Sequence, residues 1–132
     1  MAIGTEAFWL ADPNDKPAVI DKPSYYTQVV DPETHTVIGD KPWFIEFYTP
    51  WCYYCKLMAP AWDELHLKHK DSVNVARVDC DSKDGKPLCH DLRIPSYPTI
   101  LYFPTQSTDH MTYMGERTFD AFEHWLKRHH AI

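Results

Sequence analysis

The chain has 132 residues, a formal net charge of −6 with histidine neutral, and the composition of an ordinary globular protein rich in aromatics. That length is enough for one domain with a real core. No basic run exceeds Lys127-Arg128 and no apolar stretch approaches the ~20 residues of a membrane span, so the sequence argues against nucleic-acid binding and against a transmembrane helix.

Residues 1–24 place Pro13, Pro17 and Pro23 among Asp and Lys and read as an irregular N-terminal extension, partly extended, with Phe8, Trp9 and Leu10 apolar enough to dock on the rest. Tyr25 to Val30 is a short strand candidate, and Asp31 is placed to cap a brief helix at Pro32-Glu33-Thr34. A turn over 39–42 leads into the apolar run from Trp43 to Thr49, which reads as a buried strand. A long helix is expected from about Cys52 to Lys70, because Leu57, Ala61 and Leu65, and likewise Met58, Trp62 and Leu65, recur at helical spacing. Pro60 should kink it. Val73 to Asp79 alternates as a strand, Lys86 to Leu92 is a short helix, Thr99 to Phe103 a strand, and His110 to Met114 a strand that ends at Gly115. Thr118 caps a last amphipathic helix with Phe119, Phe122, Trp125 and Leu126 on one face. Alternating elements with a closing hairpin give an α/β class, a mixed central sheet with helices on both faces.

Cys52 and Cys55 stand three apart at the junction of the buried strand and the long helix. That position puts the first sulfur at a helix N-terminus, where unpaired N–H groups and the helix dipole stabilise a thiolate. The thiolate is the form that attacks disulfides. Cys55, one turn on, can close or resolve the bond, so the pair reads as a dithiol redox centre. A bare Cys-x-x-Cys also suits half of a zinc site, or a purely structural bridge. Cys80 and Cys89 have eight residues between them, a poor zinc-knuckle spacing, and no histidine pair follows at finger spacing. The eight histidines, His66 and His69 among them, read as scattered and solvated, so no metal is expected.

The stretch Phe47-Tyr48-Thr49-Pro50-Trp51-Cys52-Tyr53-Tyr54-Cys55-Lys56 resembles the active-site segment of thioredoxin-fold domains in the protein disulfide isomerase family, commonly Phe-Tyr-Ala-Pro-Trp-Cys-Gly-His-Cys-Lys. Val78-Asp79-Cys80, Ile94-Pro95-Ser96-Tyr97-Pro98-Thr99 and Tyr113-Met114-Gly115-Glu116-Arg117 are similar to later motifs of the same family, in order, over roughly residues 25–130. The resemblance implies a thioredoxin-like domain over 25–132. It implies a cis bond before Pro98, where the residues alone suggest an ordinary trans proline. Tyr97 would then offer its backbone to a substrate by strand addition. It also implies that Glu46 is a buried acid beneath Cys55 that moves its proton, opposed by Arg77, and that Arg117 swings toward the second thiol. Cys80 and Cys89 are spaced like a pair in the thioredoxin domain of quiescin-type sulfhydryl oxidases, which implies a structural disulfide worth roughly 2–3 kcal/mol.

The departure from the family is Tyr53-Tyr54. Tyr54 stands where a histidine would stabilise the thiolate, so a less oxidising disulfide is expected. With Trp51 and Tyr97, the two tyrosines either contact clients or, for the tyrosines, pack on Trp51. The expected activity is thiol–disulfide exchange on client proteins bearing thiols or disulfides, with no bound cofactor and with glutathione or a partner oxidase as redox partner. The alternatives are a client-binding adaptor and the redox module of a larger sulfhydryl oxidase. Paired cysteines favour the endoplasmic reticulum lumen or secretory pathway. The first residues lack the pattern of a signal peptide and the last four are not a retention tetrapeptide, so the expectation is a domain cut from a longer precursor.

Overall fold

The computed structural model describes residues 12–132. The proposed docking of Phe8, Trp9 and Leu10 lies outside them. Strand β1 (Ala18–Val19) lies within the stretch read as irregular and pairs in parallel with β3 (Asn74–Asp79). Helical turn α1 (Lys22–Ser24) follows and runs on as a π-helix over Tyr25–Val29. Strand β2 (Trp43–Tyr48), helix α2 (Tyr53–His69), β3, helix α3 (Lys86–Asp91), strands β4 (Thr99–Phe103) and β5 (Met111–Thr112), and helix α4 (Phe119–Arg128) complete the order. The five strands lie in the order β1-β3-β2-β4-β5, with β2 parallel to β3 and antiparallel to β4, and β5 antiparallel to β4. This is the expected mixed α/β sheet with helices on both faces, a thioredoxin fold.

The strand expected over Tyr25–Val30 is helical instead. Asp21 and Ser24 form a reciprocal capping box: the Asp21 carboxylate accepts from the Ser24 N–H at 3.0 Å, and the Ser24 hydroxyl oxygen accepts from the Asp21 N–H at 2.8 Å. Once started, the helical path buries Tyr25 and Val29, four apart, on one face. Val30 keeps only an isolated bridge to Val37. The brief helix after Asp31 is a turn, in which the Asp31 carboxylate accepts from the Glu33 N–H at 2.8 Å and its carbonyl from the His35 N–H.

Alternation along the central strands divides the core. Trp43, Ile45 and Phe47 of β2, with Leu101 and Phe103 of β4, face the π-helix and α3. Phe44 of β2, with Ile100 and Tyr102 of β4, faces α2 and α4, where Trp62, Leu65, Phe122 and Leu126 are fully buried. Both faces of β2 are covered, in keeping with its almost wholly apolar sequence. Glu46 therefore falls on the α2 face by strand periodicity. Trp62 fixes α2 to the sheet by donating its indole N–H to the Ala76 carbonyl at 3.0 Å. Helix α2 continues through Pro60, whose missing N–H leaves the Lys56 carbonyl without its helical donor.

Candidate active site

The dithiol sits where β2 hands over to α2. Cys52 is the N-cap of α2 with extended backbone (φ −76°, ψ 117°), and its sulfur accepts the Cys55 N–H at 3.2 Å. A free amide of the first turn thus points at Cys52 Sγ, and no acidic residue in that turn competes for it. Cys52 and Cys55 are joined by a disulfide, Cα atoms 5.2 Å apart, and both are nearly buried (7 % and 4 % exposed). Overall exposure separates the two residues little. What distinguishes Cys52 is its position at the helix end.

Glu46 is 1 % exposed and borders a cleft of about 210 Å³ together with Cys55, Thr49 and Arg77. Burial pushes its carboxyl up to about 7, against the opposing charge and hydrogen bond of Arg77. Burial is the larger effect, and the guanidinium that opposes it is shared with other acceptors. Arg77 Nε donates to Glu46 Oε1 at 3.2 Å, while Nη2 donates to Asp63 Oδ1 at 2.8 Å and to the Ala59 carbonyl at 3.2 Å. The shorter bond goes to Asp63, whose negative charge further raises the Glu46 carboxyl, whereas Arg117 lowers it. Asp63 was not singled out from the sequence. The signal was there: Cys55, Ala59 and Asp63 are spaced i, i+4, i+8 and form one stripe beneath the second cysteine. Thr49 borders the same cleft, and its buried hydroxyl has no hydrogen-bond partner among the described residues.

The Tyr97–Pro98 peptide is cis. Tyr97 meets Trp51 edge-to-face at 6.1 Å between ring centroids, which joins the Pro98 loop to the Cys52 loop. Tyr53 and Tyr54 are 66 % and 59 % exposed and pair with each other at 5.5 Å, rather than with Trp51. The guanidinium of Arg117 lies over the Tyr54 ring, 5.8 Å from its centroid. The turn that presents Arg117 folds tightly on Tyr113: its hydroxyl donates to the Glu116 carbonyl, and a Cβ on Gly115 would stand 2.5 Å from that hydroxyl oxygen.

Cys80 and Cys89 form the second disulfide, Cα atoms 5.7 Å apart, tying the end of β3 to α3. Among the described residues no group of three or more His, Cys, Asp or Glu side chains could hold a metal ion. The reading of His66 and His69 as solvated is corrected: each is only about one-seventh exposed, His66 Nε2 lying 2.7 Å from Asp15 Oδ1 and His69 Nε2 2.6 Å from Glu123 Oε2. Carboxylates from the N-terminal segment and α4 draw these rings onto the protein. No described helix is long and apolar enough to cross a membrane.

The model of the thioredoxin family matches residues 20–128. The protein disulfide isomerase-like 2-1 of Oryza sativa subsp. japonica is 38% identical over 89 residues, 66% of this chain and 24% of that protein. The protein disulfide-isomerase 1 of Caenorhabditis elegans is 30% identical over 118 residues, 89% of this chain and 23% of that protein. The chain thus spans about a quarter of the length of these relatives. Among solved structures, the Trx4 domain of ERdj5 superposes with a TM-score of 0.71 at 18% identity, covering 86% of this chain and 96% of that one. Human ERp44 in a zinc-bound form gives 0.69 at 21%, covering 86% and 30%.

Proposed function

The chain belongs to the thioredoxin family, and from that premise we propose that it is a thiol–disulfide oxidoreductase of the protein disulfide isomerase type acting on client proteins. The observation that carries the proposal is the Cys52 sulfur at the N-cap of α2, accepting the Cys55 N–H. In the reducing direction the Cys52 thiolate attacks one sulfur of a client disulfide and the first client thiolate leaves. Cys55 gives its proton to Glu46 and attacks Cys52 Sγ, which releases the second client thiolate and closes Cys52–Cys55. Two electrons pass to the client. The reverse sequence oxidises a client dithiol. A carboxyl held near 7 is suited to taking and returning that proton at neutral pH.

Trp51, Tyr53, Tyr54 and Tyr97 form the client-contacting collar, and the Tyr97 backbone pairs with the client strand. Arg117 supplies positive charge at the rim. Cys80–Cys89 serves as a structural bond. Glutathione or a partner oxidase resets the dithiol, and the two disulfides suit the endoplasmic reticulum lumen or the secretory pathway. Residues 25–132 form the catalytic domain, with 1–24 as an extension that contributes β1 to its sheet. The exposed tyrosine pair also favours a second reading, a client-binding adaptor in which turnover is incidental. Reduction of insulin by the dithiol form discriminates the two. Steady turnover supports the oxidoreductase, and binding without turnover supports the adaptor.

A further inference from the structure

The turn that ends α3 carries an arginine where glycine is the usual residue. Leu92 caps the helix, the Arg93 N–H donates to the His90 carbonyl at 3.1 Å and the Ile94 N–H to the Cys89 carbonyl at 3.0 Å, a Schellman arrangement that holds Arg93 at φ 56°. A side chain is disfavoured in that conformation, so the turn itself gives no reason for arginine. The Arg93 side chain is exposed, and no ion pair among the described residues includes it.

Arg93 borders a cleft of about 470 Å³ that also carries Arg117 and His110, and no Asp or Glu among the described residues lines it. On a chain of net charge −6 this is a local reversal of sign. The cleft is linked to the dithiol segment by two contacts, Tyr97 beside Pro98 meeting Trp51 and Arg117 meeting Tyr54. The cis proline Pro98 forms part of its wall, and Arg117 reaches from it to the ring of Tyr54 between the two cysteines. Ile94, Pro95 and Met114 supply apolar surface beside the charges.

We propose that this cleft receives the client segment flanking the reacting cysteine and selects segments that carry Asp or Glu. The proposal rests on the exchange activity argued above and names its substrate class. Two exposed guanidinium groups, neither in an ion pair among the described residues, lower the energy of a carboxylate placed between them. Screening at the surface makes this a preference rather than a requirement.

The test uses three peptides with one internal disulfide and identical cores, flanked by Asp, Asn or Lys. Each rate of reduction by the dithiol protein is divided by the rate of the same peptide with dithiothreitol, an uncharged dithiol, which removes intrinsic differences in reactivity. The Asp peptide is expected to react about fivefold faster than the Asn peptide, and the Lys peptide more slowly. Raising salt to about 1 M collapses the difference. Arg93→Gly relieves the backbone, so the melting temperature holds or rises while the Asp-to-Asn ratio falls at least by about half. Arg93→Lys retains the ratio. Equal rates for Asp and Asn peptides, or a ratio unchanged in Arg93→Gly, overturn the preference and leave the exchange activity standing. Reduction of none of the three overturns both.

Discussion

At the scale of single residues, Cys52 and Cys55 are similarly buried and differ in position, only Cys52 standing at the helix start. Cys52→Ser should abolish insulin reduction, because the helix-start nucleophile is gone. Cys55→Ser should accumulate mixed disulfides with clients, visible on non-reducing gels, because nothing resolves them. Glu46 gives a prediction with a sign. Its carboxyl is raised to about 7 by burial, above its unfolded value, so the folded state binds the extra proton. The stability this lends is fully present below the unfolded pKa of about 4.3 and is lost as pH rises through about 7. Glu46→Gln should flatten that decline and be more stable than the parent at pH 8 by up to about 3 kcal/mol, measured by urea unfolding from pH 4 to 8. An equal decline in both proteins would place the titrating group elsewhere. Tyr54→His should make the Cys52–Cys55 disulfide more oxidising, by about 30 mV for a tenfold change in the equilibrium constant. The substitution also removes the ring beneath Arg117. Glutathione redox titration of both proteins measures the net effect.

At the scale of elements, two close approaches position the chemistry. A Cβ at Gly115 would lie 2.5 Å from the Tyr113 hydroxyl oxygen, so Gly115→Ala pushes the Tyr113 ring off the turn that presents Arg117 to Tyr54 and removes its hydroxyl contact with the Glu116 carbonyl. The expected result is slower exchange with little loss of stability, since the turn is exposed. At Gly85 a Cβ would stand 2.0 Å from the Asp79 backbone carbonyl oxygen. Gly85 begins the loop-to-α3 passage that carries Cys89 to Cys80, and backbone cannot give way as a side chain can. Gly85→Ala should therefore destabilise by about 1–3 kcal/mol. Alkylation under mild reductant, followed by peptide mapping, should label Cys52 and Cys55 while Cys80 and Cys89 remain bonded. Labelling of all four together would remove the distinction between a catalytic and a structural bond.

At the scale of the whole molecule, what the sequence made legible was whatever local periodicity or motif spacing controls. The apolar run of β2, interrupted by Glu46, the Met58-Trp62-Leu65 stripe of α2 and the stripe and Thr118 cap of α4 all emerge, whereas Leu57 of the other α2 stripe is 59 % exposed. The strand expected over Tyr25–Val30 gives way to helix, because the Asp21/Ser24 capping box starts a helical turn just before it. The balance at Glu46 was not legible either. Burial dominates it, and Asp63 adds to it by drawing the shorter hydrogen bond from Arg77, a three-body arrangement across β2, β3 and α2 that no single segment encodes. Arg93 was invisible for the same kind of reason, since its meaning comes from a left-handed backbone and a cleft shared with Arg117.

The central claim is that the end of α2 makes Cys52 the nucleophile. The most direct measurement is the competitive alkylation of the two thiols in the fully reduced protein at pH 7, with iodoacetamide in limiting amount and peptide mapping of the product. The account predicts that Cys52 is modified at least about tenfold faster than Cys55 and faster than free cysteine, because the thiolate fraction governs the rate. Equal labelling, or preferential labelling of Cys55, would contradict it.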